Sequence, residues 1–395
     1  MIARFEAFFL CMFFFHIVGH SASYGCIMDP AAMGARSAGM GSAVVALADD
    51  VISALYFNPA GLTQLEGANI AMGSLFIENR IRYKSPDGYS AENSAPGVVP
   101  FVGYSNKLSD KVTMGFAAFS TLGVGFKFRN HRAGMVVGDI KSMTGVMTLA
   151  PTVSYKVNPK FSVGLQAQLA YSASEIDMPT PVGYLRTDSD GFGFAPAVGL
   201  LYQPTSFLSL GIRWRSPMKT HLEGDADLFT TDGQEQDDSL DLDLYWPQML
   251  EFGAAFTIRP DLIFSVFAKW SDWSHFDKSK FKFRNMRYLD TPVASEMKDG
   301  VRWGIGAEYK PRANLALRCG YFHNPYSVES ESLSPLIADL SYEEVRFGVL
   351  LELGKFDIGA VVNYTFFHSR NGTGDYPGRY TGSMPVGVIE IGYQF

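Results

Sequence analysis

Six basic residues fall on the polar side of segments whose alternate positions are apolar: Arg213 and Arg215, Lys269, Arg302, Arg318 and Arg346. Cations so placed can hold an anionic head group, most firmly where a guanidinium fork takes a carboxylate. The same series of positions carries Glu251, Glu308, Glu344, Glu352 and Glu390, which could pair with those cations across neighbouring strands. Structural pairing and ligand binding therefore stand open for each cation. Bond-breaking chemistry is not indicated. No Gly-x-Ser-x-Gly elbow, His-x-x-x-His pair or Cys-x-x-Cys is present, and residues 33–41, though rich in glycine, lack the preceding strand that a dinucleotide loop requires. The sequence calls for no enzyme, no catalytic residue, no metal and no cofactor.

The elements that position these side chains are strands. Alternation bounded by turn residues gives about fourteen segments, starting near Ala68, Gly97, Lys111, Ile140, Lys160, Gly191, Ser206, Leu240, Asp261, Lys298, Ala313, Leu340, Lys355 and Ser383. In one of them Val301, Trp303, Ile305, Ala307 and Tyr309 alternate with Arg302, Gly304, Gly306, Glu308 and Lys310. The connections alternate too. Tight turns fall at 106–110, 157–159, 203–205, 259–260, 310–312 and 354, and long polar loops surround 85–95, 129–139, 177–190, 219–239, 276–297, 323–339 and 368–382. Short inner turns and long outer loops are how bacterial outer-membrane barrels are built. The fold class read from this is all-β, a transmembrane antiparallel β-barrel of about fourteen strands. All five tryptophans lie in or at the ends of these strands, where aromatic girdles would sit.

Both ends of the chain fit an outer-membrane address. Residues 7–18 are almost wholly apolar and are followed by Ser21, Ala22 and Ser23, the pattern of a secretory signal peptide over 1–23. The last strand alternates Ile389, Ile391, Tyr393 and Phe395 with Glu390 and Gln394, a lipid face against a lumen face, and its Tyr393 and Phe395 end is a candidate signal for the barrel assembly machinery. Composition agrees. There are 31 Phe, 19 Tyr and 39 Gly in 395 residues with 18% charged, so apolar surface is abundant without any contiguous run long enough to cross a bilayer as a mature helix. A formal charge of -7 argues against nucleic acid as a partner. Of the three cysteines, Cys11 falls in the signal and Cys26 and Cys319 read as free thiols, so disulfides do not hold the fold. The external loops carry opposite charge: 223–243 is acidic, with a solvated face or a divalent cation as its possible roles, and 276–287 is basic and could touch lipopolysaccharide phosphates.

Residues 24–67 do not alternate. They are dominated by small side chains and contain Ala48-Asp49-Asp50 and Phe57-Asn58-Pro59-Ala60-Gly61-Leu62; Gly and Ala permit close backbone approach and Pro59 fixes a bend. A cylinder this wide needs filling if it is not to leak. Here the chain resembles the FadL/TodX family of outer-membrane transporters for long-chain fatty acids and other hydrophobic compounds. The Asn58-Pro59-Ala60 run is similar to that family's hatch motif, and Leu317-Arg318-Cys319-Gly320-Tyr321, Asn324-Pro325, Ser334-Pro335 and Val345-Arg346-Phe347-Gly348 fall in the family's order.

The resemblance implies a hatch over 24–67 that plugs a barrel over 68–395, an external apolar groove that collects ligand, and an interior pocket that holds it. It also implies lateral exit through a kinked third strand, for which Gly123 and Gly125 are the candidates. A fatty acid would need a cation for its carboxylate, and Arg213, Arg215, Lys269, Arg302 and Arg318 are the candidates by periodicity. The partners implied are a long-chain fatty acid or hydrophobic small molecule, outer-membrane lipid and lipopolysaccharide, and the assembly machinery, in the cell outer membrane of a Gram-negative bacterium. A general porin for polar solutes, and an adhesin or phage-receptor barrel, remain the alternatives.

Overall fold

The computed structural model describes residues 29–30, 32–133, 136–294 and 296–395; the expected signal peptide over 1–23 and Cys26 lie outside them. β1 (Ala68–Lys84) pairs with β2 (Ser90–Lys107), and β2 with β3 (Val112–Ala133). β4 (Val136–Leu149) and β5 (Thr152–Asn158) both lie between β3 and β6 (Phe161–Thr180). β7 (Gly183–Tyr202) pairs with β6 and with both β8 (Leu208–Arg215) and β9 (Met218–Thr230). β10 (Glu235–Trp246) continues from β9, and β11 (Met249–Arg259) pairs with β8 and β12 (Leu262–Ser271). The short β13 (Lys280–Phe283) and β14 (Thr291–Pro292) extend this edge. β15 (Gly300–Arg312), β16 (Leu315–Asn324), β17 (Tyr342–Leu353) and β18 (Phe356–Phe367) follow as antiparallel neighbours. After β19 (Arg370–Gly372), β20 (Gly378–Ser383) and β21 (Val386–Gln394) both pair with β1, and β21 with β18.

The result is a closed antiparallel barrel with little helix. Among the described residues it comprises 21 strands, 16 of them eight residues or longer, against the expected count of about fourteen. The difference arises because several alternating runs are broken in two, at Ala150-Pro151, Ser216-Pro217 and Pro247-Gln248: proline removes a ladder donor and interrupts the strand. Among the described residues no helix is long and apolar enough to cross a membrane.

Alternation locates the two faces. Val301, Trp303 and Ile305 are exposed on the outside, whereas Arg302, Glu308, Glu344 and Arg346 are buried within. Two expectations need correcting. The stretches 85–95, 129–139, 177–190 and 219–239 are largely strand rather than loop, so that β3 runs for 22 residues and β6 and β7 for 20. About ten residues cross the hydrocarbon. Beyond it the ladder continues in water, where nothing demands an apolar outer face, and the alternation that reveals a strand fades. Likewise Trp246 and Trp273 are buried inside the barrel, at 1% and 2% exposure, against Phe276; only Trp214 and Trp303 are clearly exposed on the outer surface.

The N-terminal segment lies against the inner face of the wall. It holds α1 (Ala35–Gly39), α2 (Val51–Tyr56) and a 3-10 turn at Pro59–Gln64. Asp50 caps α2 by accepting the Ser53 N–H at 2.8 Å, and Asn58 caps the turn by accepting the Ala60 N–H at 3.2 Å with Pro59 in the first-turn position, where its missing donor costs nothing. Asn58 Nδ2 also donates to Val45 O (2.8 Å) and to Leu200 O on β7 (3.0 Å). Its other carbonyls are met by wall side chains: Gln166 Nε2 donates to Leu55 O at 2.6 Å, Ser209 Oγ to Ala46 O at 2.7 Å and Ser154 Oγ to Pro59 O at 2.5 Å. Irregular backbone enclosed by a barrel must be satisfied in this way.

Candidate ligand-binding site

Register places Arg213 opposite Glu251, Glu251 opposite Lys269 and Lys269 opposite Arg302, one row across β8, β11, β12 and β15. Arg215 lies opposite Met249, two positions along β8 from Arg213, so four of the five sequence candidates, Arg213, Arg215, Lys269 and Arg302, lie together, all buried. Arg213 Nη1 donates to Glu251 Oε1 at 2.8 Å, and Arg215 Nη2 to Pro247 O at 3.0 Å. Lys269 Nζ and Arg302 Nη1 each stand 2.6 Å from Asp29 Oδ2. Burial pushes the Asp29 carboxyl up, but Lys269 and Arg302 beside it outweigh this and hold it below the usual range. These four cations meet two carboxylates, Asp29 and Glu251, and Arg213 Nε, Arg215 Nε and Glu251 Oε2 have no hydrogen-bond partner.

Sequence reasoning found the cations and missed Asp29. The signal was present. An acid among small and apolar residues in a segment destined for a lumen with unpaired cations is a partner for them.

Arg318, the fifth candidate, lies apart: its Nε donates to Glu308 Oε2 at 2.7 Å, and Arg36 of α1 takes Glu308 Oε1 at 3.2 Å and pairs with Asp49. This is a structural tie between wall and segment. Arg346 is instead a cavity residue. It is paired with Glu344, donates to Ser42 Oγ at 3.0 Å and lies 4.6 Å from the centroid of the Phe322 ring.

The cavity holds about 60 Å³, room for only a few waters. Asp29, Pro30, Ala32 and Ala38 of the N-terminal segment form one side; Leu75, Ile77, Val99, Val361 and Val388 supply an apolar lining; Tyr342, Glu344, Arg346 and Asn363 form a polar end. Ser120 and Gly123 of β3 complete it. That contact coincides with a break in the wall: the β2–β3 pairing runs from Lys107↔Thr113 to Val102↔Ala118, then stops until Asn93↔Phe128. Across the same stretch β3 stays paired with β4, with a register shift between Ser120 and Leu122. Gly123 and Gly125 are therefore placed within the unpaired stretch, but the irregularity itself falls at Thr121, whose Oγ1 is 2.8 Å from Thr148 Oγ1.

Above the cavity a second apolar cluster fills the external half, including Phe126, Phe128, Trp246, Trp273, Leu333 and Leu340. In the acidic region, His221, Glu223 and Asp241 bring ligand atoms within 4.8 Å of one another, all exposed. Exposed groups of this kind are usually solvated, and nothing else there points to an ion. Tyr393 packs against Phe356 and Phe395, and the Phe395 N–H donates to Ala68 O at 3.0 Å.

A closed barrel with an apolar outer face, an internal segment and a lined cavity defines an outer-membrane transport protein. The chain belongs to the family described as outer membrane protein transport protein (OMPP1/FadL/TodX), whose profile matches residues 21–340. It is 23% identical over 357 residues to the long-chain fatty acid transport protein of Escherichia coli, covering 75% of this chain and 78% of that one. It is 22% identical over 312 residues to a 47 kDa outer membrane protein of Pasteurella multocida, covering 70% and 72%. The fold matches the crystal structure of a Pseudomonas aeruginosa FadL homologue with a TM-score of 0.84 at 16% identity, over 94% of this chain and 100% of that one. It matches the Pseudomonas putida toluene transporter TodX with a TM-score of 0.79 at 20% identity, over 93% and 99%. The chain is thus a transporter of the Gram-negative outer membrane and not an enzyme.

Proposed function

We propose that this chain is a passive channel for long-chain fatty acids or other hydrophobic molecules, with residues 24–67 as a hatch inside a barrel formed by 68–395. Counting β4 with β5, β8 with β9, β10 with β11, β12 with β13 and β20 with β21 as single crossings, and leaving the short β14 and β19 outside the wall, supports a wall of about fourteen. Cargo is captured by the external apolar cluster, passes to the cavity, and leaves sideways between β2 and β3. One observation carries the route: Ser120 and Gly123 line the cavity and lie in the stretch where β2 and β3 do not pair.

A carboxylated cargo has two polar anchors in reach, Arg346 at the cavity's polar end and the Lys269–Arg302 pair now held by Asp29. The named relatives include a fatty acid transporter and a toluene transporter, and the buried cations favour the first kind of cargo. A slot of about 60 Å³ is too narrow for a long chain, so binding requires the N-terminal side of the cavity to yield. The outward positions carry lipid contact, and the basic stretch 276–287 is the candidate contact for lipopolysaccharide.

The test is uptake of labelled oleate and toluene by cells lacking other uptake barrels, together with planar-bilayer conductance. Closed traces with uptake support the reading, and large steady currents favour a porin. Introducing Val99→Cys with Thr121→Cys and bridging them with a bifunctional maleimide should block uptake, which the unbridged double variant should retain. Unchanged uptake in the bridged protein would exclude the lateral route.

A further inference from the structure

The upper corner of the β2–β3 gap holds two buried asparagines with opposite hydrogen-bonding states. Asn93, fully buried, uses both ends of its amide: Nδ2 donates to Asn79 O at 3.0 Å, and Oδ1 accepts the Lys127 N–H at 2.6 Å. It supplies by side chain the β2–β3 link that the backbone resumes only at Asn93↔Phe128. Asn79 is 1% exposed, and neither its Oδ1 nor its Nδ2 has a partner. An amide buried without partners costs about 1–3 kcal/mol, and one whose donor and acceptor are both unpaired calls for a reason.

Position supplies one. Asn79 shares the inward face of β1 with Leu75 and Ile77, both of which line the cavity, and stands two positions beyond Ile77 toward the external side. Apolar side chains along this face would serve a pure hydrocarbon equally well. An amide serves a molecule that carries a hydrogen-bonding group, because Nδ2 can donate to a carboxylate and Oδ1 can accept from a hydroxyl.

We propose that the Asn79 amide is a cargo-binding group that hydrogen-bonds the polar group of an amphiphile between cavity and gap, making this channel selective for amphiphiles over hydrocarbons. This rests on the cavity-to-gap route above. A site built to pair a polar group rejects analogues that lack it far more strongly than an apolar pocket rejects extra methylenes.

The experiment compares wild type, Asn79→Leu and Asn79→Ala in detergent, with oleate, oleyl alcohol and 1-octadecene as probes and thermal unfolding of the ligand-free protein as a second readout. Both variants should lose oleate and oleyl alcohol affinity by roughly tenfold or more, keep 1-octadecene affinity within about twofold, and unfold at a higher temperature, since an unsatisfied amide is gone. Equal losses for all three probes, or unchanged affinity for the two polar ones, would overturn the assignment. So would a lowered unfolding temperature with binding intact, which would mark the amide as held by water alone. Wild type that binds no probe at all refutes the cargo reading itself, a failure distinct from wild type and variants binding oleate alike.

Discussion

Asp29 Oδ2 and Arg302 Nη1 are 2.6 Å apart, joining the N-terminal segment to β15. Arg302 also donates to Asp29 O at 3.0 Å, so the guanidinium holds backbone as well as carboxylate. Removing one member of a buried ion pair leaves an uncompensated charge, at a cost of about 3–5 kcal/mol. Asp29→Asn should therefore loosen the N-terminal segment without dissolving the barrel, read as faster proteolysis within residues 29–65 while the wall still migrates as a folded band in unheated gels. If cargo carboxylate takes Asp29's place, the same variant should bind oleate more tightly.

The same contact sets a pH dependence. Asp29 is held below the ordinary carboxylate range, so it binds its proton less readily folded than unfolded. Its contribution is fully present above the unfolded value of about 3.9 and is lost as pH falls through the lower folded value. The segment should stay seated from pH 7 down to about 4 and loosen only below that. Protease access measured across that range should show this transition in wild type and lack it in Asp29→Asn.

Among the wall glycines facing the segment, Gly304 leaves the least room for a side chain. A Cβ there would stand 2.0 Å from Gly41 O, and backbone cannot give way as a flexible side chain can. Gly304→Ala should cost about 1–3 kcal/mol by overpacking and push Met40 and Gly41 off the wall. The expected outcome is a folded barrel with open-channel current absent from wild type, recorded in planar bilayers.

Period-two alternation made the wall legible because lipid and lumen impose opposite chemistry on successive residues; Trp303 beside Arg302 is enough to orient β15. That signal ends where the imposition ends, so the aqueous ladders of β6 and β7 read as loop. Arg213, Lys269 and Arg302 were legible as inward cations, but their common row depends on register across three strand pairs, which no local pattern encodes. Asp29 sits in a segment with no periodicity at all. The break at Thr121 depends on how β2 diverges from β3, a relation between strands rather than a property of Gly123.

Burial divides the tryptophans into two groups that lipid can distinguish. Trp214 and Trp303 are exposed on the outer wall, whereas Trp246 and Trp273 are almost wholly enclosed. In bilayers of brominated phospholipid, single-tryptophan variants retaining Trp214 or Trp303 should be strongly quenched. Those retaining Trp246 or Trp273 should be nearly unaffected, and equal quenching of all four would mean that the two inner residues do not sit inside the barrel.

Cys319 provides the matching test on β16. It is exposed and lies opposite Ala307 and Phe347 in the neighbouring strands, with Phe347 itself exposed, so its thiol faces the apolar outer surface. Hydrocarbon admits apolar reagents and excludes charged ones. Uncharged maleimides that partition into lipid should label Cys319 slowly in proteoliposomes, and charged, impermeant reagents should leave it unmodified. Solubilisation in a mild detergent with a short, dynamic micelle should speed labelling by the uncharged reagent first. Rapid labelling by the charged reagent in intact bilayers would place this face of β16 in water, and with it the orientation of Arg318 and the row of inward charges.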